Sequence, residues 1–222
     1  MNQDLNSLDK SVSQGGGGGR MAADERRSQL LKTAVRLFSQ HGFRGTTTRE
    51  IAQAAGVSEA MVFRHFATKQ DLYAAIIDYK ACNNEIQNMR ERLSELVKAK
   101  DDFGVFYNLA LGVLTHHEDD LEFMRLLLHS ALEGHELAKM FFERYIVGHY
   151  EFLSSYIEER QKDQVFRIAE PRIFVRAFFG MLIHHSLNNN LWDREGKLLK
   201  ISNEMAARSF TDILLRGVMI KG

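Results

Sequence analysis

Residues 46–66 read TTTREIAQAAGVSEAMVFRHF: two short apolar-periodic stretches, each announced by a hydroxyl residue, with a glycine between them. Thr47 and Glu50 have the spacing of a capping box, in which the threonine oxygen accepts from the Glu50 amide and the glutamate reaches back; such a start stabilises a helix by roughly 0.5 to 2 kcal/mol. The spacing predicts a helix from Thr48 that buries Ile51, Ala52 and Ala55 and stops at Gly56, a residue type that accepts left-handed backbone. Ser58 then caps a second helix. On it Val62 and Phe66, at i and i+4, point to one side and leave Ala60, Met61 and Arg64 on the other. Helices this short are marginal alone, because nucleation costs more than so few hydrogen bonds return. The pair must therefore lean on neighbours.

The neighbours are legible. Leu30, Leu31, Ala34, Leu37 and Phe38 form one apolar stripe of a helix that begins near Arg26 and is closed by Gly42. Thr68-x-x-Asp71 starts another, carrying Leu72, Ile76 and Ile77. Further helices are expected at about 84–99, 101–116, 119–133, 135–162, 172–191 and 201–219, with Pro171 suited to a first helical turn and Gly217 to a last one. With one proline in 222 residues and helical periodicity throughout, the fold class is all-α. Residues 1–20, which end in GGGGGR and lack apolar periodicity, are expected to be a disordered leader. No Gly-Lys-Ser/Thr follows the glycines, so they do not make a phosphate loop.

The amino terminus has no apolar segment of signal-peptide type, and the longest apolar run, Ala177 to Ile183, is far short of a bilayer span; a cytoplasmic chain without membrane association is expected. The single cysteine, Cys82, excludes an intramolecular disulfide and fits a reducing compartment. Net charge is zero, yet residues 21–80 hold nine Lys/Arg against six Asp/Glu, so the positive excess surrounds the opening motif.

Helix, tight glycine turn, helix is the pattern that lays its second helix in the major groove of DNA. Arg64 has the geometry to bond guanine O6 and N7, Met61 or Ala60 to touch a thymine methyl, and Glu59 to accept from cytosine N4, with Phe63 and His65 on the flanks. Phosphate contacts are expected from Thr47, Thr48 and Arg49 at one helix start and from Lys69 at the next, and the capping Ser58 is counted among the DNA-binding residues. On pattern alone, a plain helical hairpin inside a bundle fits this stretch as well.

The stretch from Leu30 to Ile77 resembles the DNA-binding domain of the TetR family of bacterial transcriptional regulators. The markers are Leu37-Phe38, Gly42-Phe43, Thr47-Thr48, Ile51-Ala52, Ala55-Gly56-Val57-Ser58, Phe63, His65-Phe66, Lys69 and Leu72. Phe63 stands where the family usually has a tyrosine that bonds a phosphate, so here packing alone is expected of it; Ala60 stands where glycine is common. The resemblance implies a three-helix helix-turn-helix domain over 21–67 and a larger helical domain over 68–222, about nine helices in all. It also implies a homodimer on operator DNA, released by a small, largely apolar effector, as a repressor and without a cofactor; a DNA-binding protein of the same fold that activates, or that has no effector, is the alternative. The segments PRIFVRAFFGMLIHHSL and EMAARSFTDILLRGV resemble the last two helices of such proteins, which pair across the dimer. Phe174, Phe178, Leu182, Ile213 and Leu214 are the expected contacts, although an internal core accounts for such residues equally well. Effector lining is expected from Phe103, Phe106, Tyr107, Met124, Leu127, Phe141, Phe142, Tyr145, His149 and Phe152, with Tyr107, Tyr145 and His149 as the hydrogen-bonding members.

Nine histidines invite an enzyme reading, but none has a glutamate three residues before it, and no His-Glu-x-x-His occurs. His129 and Glu133, one helical turn apart, are the nearest approach to a ligand pair. No catalytic or metal-binding residue is assigned.

Overall fold

A computed structural model describes the backbone of residues 17–81 and 84–220, and the side chains of residues 23–80 and 91–220. Cys82 and residues 1–16 of the expected leader lie outside the described residues. Among the described residues the helices are α1 (Gly17–His41), α2 (Thr48–Ala54), α3 (Glu59–His65), α4 (Lys69–Ala81), α5 (Asn84–Lys98) and α6 (Asp102–Asp119). They continue with α7 (Leu121–Leu132), α8 (Glu136–Phe141), α9 (Val147–Lys162), α10 (Pro171–Leu187) and α11 (Asn203–Val218). A π-type turn over Phe142–Ile146 joins α8 to α9 as one rod, and another over Asn188–Trp192 extends α10. α1 begins at Gly17 rather than Arg26, so residues 17–20 are helical where a disordered leader was expected. Lengthening an existing helix adds one bond per residue with no further nucleation cost, and apolar periodicity does not mark where that stops.

Two apolar cores organise the helices. Leu30, Leu31, Ala34 and Phe38 of α1, Ile51 of α2, Val62 of α3 and Leu72, Tyr73, Ile76 and Ile77 of α4 make the first. Phe123 and Leu126 of α7 and Leu137 of α8 belong to the same cluster, so the core around the helix-turn-helix does not stop at residue 67. The second core gathers Val105, Phe106 and Leu109 of α6, Leu153 and Ile157 of α9, Phe174, Phe178 and Leu182 of α10, and Leu214 and Leu215 of α11. At its edge Asp102 takes two bonds from Arg160, Nε to Oδ1 at 2.8 Å and Nη2 to Oδ2 at 2.9 Å, and a third from the Tyr156 hydroxyl at 2.6 Å. This satisfied buried pair ties the start of α6 to the end of α9.

Four of the five residues expected at a dimer contact are internal. Phe174, Phe178, Leu182 and Leu214 are buried in the second core, while Ile213 alone faces outward. The outward stripe of α10 is instead Ile173, Ala177, Gly180 and Ile183, and that of α11 is Met205, Ser209 and Ile213. Both helices are apolar on two sides, and a periodicity count does not say which side a subunit keeps for itself.

Candidate nucleic-acid interface

α2 starts with the capping box: the Glu50 amide donates to Thr47 Oγ1 at 3.1 Å, and the Thr47 amide to Glu50 Oε2 at 2.7 Å. Those bonds from Thr47 hold the Glu50 carboxyl below the usual carboxylate range. The helix exits through Gly56 at φ +67°, with the Val57 amide closing on the Ala52 carbonyl at 2.9 Å. Gln29 of α1 donates to the Ala55 carbonyl at 3.1 Å and pins this turn to the bundle. Ser58 caps α3, taking the Met61 amide at 3.3 Å.

α3 turns Val62 inward, with Phe66 buried just beyond its end, and presents Ala60, Phe63 and Arg64 to solvent; Met61 is half-buried. The face that could enter a groove is therefore open on a helix braced from behind. Thr47, Arg49 and Ser58 are exposed beside it.

Four expected contacts are engaged elsewhere. Thr48 Oγ1 donates to Glu59 Oε1 at 2.5 Å, so an expected phosphate ligand and an expected base reader satisfy each other and lock α2 to α3. His65 has its Nε2 sealed from solvent without a hydrogen-bond partner, and burial, reinforced by Arg64, Arg27 and Arg26, pushes its pKa down. It is a packing residue rather than a flank of the reading face. Lys69 is half-buried: its ammonium donates to the Phe43 carbonyl and lies 4.0 Å from the Phe43 ring centroid. Desolvation lowers its pKa, against the pull of Glu133 and Glu50. Spacing alone could not reveal these outcomes, because Thr48, Glu59 and Lys69 depend on a partner from another element and His65 on burial by the tertiary fold.

The motif reading also missed two residues from far along the chain. Glu133 Oε2 accepts the Phe43 amide at 3.2 Å, and the His135 ring lies 3.8 Å from the Phe43 ring between centroids. Glu133 is thus committed to the turn after α1 rather than to a ligand pair with His129. Nothing local in the sequence marks it.

The ten expected effector-lining residues do not converge on one chamber. Phe106 is buried in the second core against Phe178, and Phe103 and Tyr107 stack at 5.6 Å beneath Arg208. Leu127, Phe141 and Tyr145 pack on the first core, Met124 is buried, and Phe142 and Phe152 face solvent. His149 Nδ1 lies 2.6 Å from the Tyr145 carbonyl. For the five on the α8–α9 rod the π-type turn at Phe142–Ile146 breaks the stripe: one added residue rotates the rest of the rod by about 100°, so a count at 3.6 residues fails there. A shallow recess of about 460 Å³ lies elsewhere, among Ser39 and Gln40 of α1, Arg125, Leu128, His129 and Leu132 of α7, and Leu191.

With this geometry in view, residues 30–76 match the family model of bacterial regulatory proteins of the tetR family. Across 187 residues, 82% of each chain, the sequence is 28% identical to the HTH-type transcriptional regulatory protein RaaS of Mycobacterium tuberculosis. The helix-turn-helix of this chain belongs to the TetR family of transcriptional regulators. With that domain the chain is a helix-turn-helix DNA-binding protein and not an enzyme. The fold of the chain is shared with PfmR of Thermus thermophilus, at 21% identity and a TM-score of 0.63, covering 84% of this chain and 97% of that one. It is shared too with AibR, solved with isovaleryl coenzyme A and operator DNA, at 20% identity and a TM-score of 0.62, covering 86% and 98%. No helix among the described residues is long and apolar enough to cross a membrane.

Proposed function

We propose that this regulator binds an inverted-repeat operator as a homodimer, acts as a repressor, and leaves the DNA when a small, largely apolar effector occupies its larger domain. One observation carries the proposal: α3 exposes Ala60, Phe63 and Arg64 while Val62 is sealed into the bundle. Arg64 is the proposed base reader, with Ala60 and Met61 against a thymine methyl. Thr47, Arg49 and Ser58, with the amides they flank, are proposed for phosphates.

The dimer is supported by the adjacent outward stripes of α10 and α11, with Ile173, Ile183, Met205 and Ile213 exposed around small residues at Ala177 and Gly180. Small side chains let helix axes approach, and a self-complementary apolar face suits a twofold pair. Two reading helices then need to stand about 34 to 36 Å apart, or a multiple, to enter successive major grooves. An effector acts only through its preference for one spacing over another, and a full swing from 99:1 to 1:99 takes about 10⁴-fold discrimination.

The test is selection of genomic fragments by the purified chain, and then footprinting. A protected site with two symmetric half-sites is expected. Failure to enrich any sequence, or protection of a single half-site by a monomer, would overturn the proposal.

A further inference from the structure

We infer that Glu133, on the loop between α7 and α8, is a positioning residue for DNA reading, which transmits the placement of the large-domain helices to the turn from which the helix-turn-helix starts. The inference rests on DNA reading by α3 and goes beyond it, since Glu133 lies on the α7–α8 loop and not on the helix-turn-helix.

The loop that carries Glu133 is rigid. Gly134 reverses it at φ +64°, and Ser130 Oγ both donates to the His135 carbonyl at 3.3 Å and accepts the Ala138 amide at 2.9 Å. From this base the carboxylate crosses to the turn after α1, where Oε2 takes the Phe43 amide at 3.2 Å. A Cβ at Gly42 would lie 2.1 Å from Glu133 Oε1, so a glycine at that place is what lets the carboxylate in. Phe43 is held on its other sides as well, by the Lys69 ammonium on its carbonyl and by the His135 ring on its own.

From Gly42 the polar contacts run on to the reading helix. The Gly42 carbonyl accepts Thr46 Oγ1 at 3.0 Å, and Thr46 is fully buried. The next residue, Thr47, caps α2, and Thr48 joins Glu59, the first residue of α3, at 2.5 Å. Apolar packing of α7 on α1 holds the two parts together without direction. A hydrogen bond to a charged acceptor has direction, and so orients the turn as well as holding it.

The experiment compares wild type, Glu133→Ala and Glu133→Gln on two duplexes: the fragment that wild type selects, and an unrelated sequence of equal length. Glu133→Ala is expected to lose roughly tenfold in affinity for the selected fragment, as for one charge-assisted bond, and nothing on the unrelated duplex, which is held by phosphate contacts. Glu133→Gln, which keeps an acceptor oxygen, is expected within about threefold of wild type on both. Should the alanine variant not fold by circular dichroism, Glu133→Met fills the space without an acceptor and takes its place. Equal losses on both duplexes, unchanged affinity for the selected fragment, or a glutamine variant as weak as alanine would each overturn the inference. If wild type selects no sequence at all, it is DNA reading itself that fails, which is a separate outcome.

Discussion

His117 is expected to make the stability of the chain sensitive to mild acid. It lies on α6 with Nδ1 2.9 Å from Ser186 Oγ on α10, and burial, with His116 beside it, lowers its pKa from 6.5 to about 4. The folded chain therefore keeps this ring neutral where the unfolded chain would protonate it. Between those two values the unfolded state binds more protons, so stability rises with pH. The contribution is fully present above pH 6.5 and is lost progressively as pH falls through about 4. A shift of that size is worth about 3 kcal/mol in full, and about 2 kcal/mol of it is gone by pH 5. His117→Gln removes the titration and keeps a group able to bond Ser186. Urea unfolding at fixed protein concentration, at pH 7.5, 6.5, 5.5 and 5.0, measures the difference. Wild type should lose about 2 kcal/mol more than the variant over that range. His65, His135 and His185, also lowered by burial, remain in both proteins and leave a common residual slope. Parallel profiles for the two proteins would refute the reasoning, since they would mean that His117 is solvated or already charged in the folded state.

Arg64→Ala should relax operator preference at one base position in a selection experiment, with roughly 1 to 3 kcal/mol less discrimination there. Lys69→Ala should lower the melting temperature by several degrees while leaving the salt dependence of DNA binding unchanged, because its ammonium serves Phe43; a salt slope shallower by about 0.9 would instead mark it as a phosphate ligand. Asp102→Ala should destabilise the chain by about 3 to 5 kcal/mol in denaturant, because Arg160 would stay buried without its bidentate partner. Ile213→Glu should yield monomers in sedimentation and abolish two-site footprints with little loss of helix content, whereas a stable dimer carrying that substitution would remove α11 from the interface.

The short elements around the reading helix were legible because their signals are local. A hydroxyl three residues before an acid, a glycine where the backbone must turn left-handed, and an i, i+4 apolar pair each act within one helical turn, so Thr47, Gly56, Ser58 and Val62 declare themselves in the primary structure. The helical class and most of the helix limits in the larger domain came from periodicity in the same way. Where the register itself changed, at the π-type turn after Phe141, the count ran on through it and put Phe141, Phe142, Tyr145, His149 and Phe152 on one wall that the structure splits. Periodicity reports that a side chain lies on an apolar face, and it cannot report which of two such faces a subunit buries for itself. That choice put Phe178 and Leu182 inside and left Ile173 and Ile183 out.

What the amino-acid sequence determined by itself is the set of helices, their caps, and the short outward edge of α3, since each is decided by residues within a few positions of one another. What only the tertiary structure decided is how that edge is held and which charged groups remain free to use. Lys69 folds onto Phe43, Thr48 onto Glu59, and Glu133 reaches the turn beyond Gly42 from 90 residues away in the chain. A hydrogen bond needs its two partners within about 3 Å, and for distant residues that proximity is created by packing and is not written in their spacing.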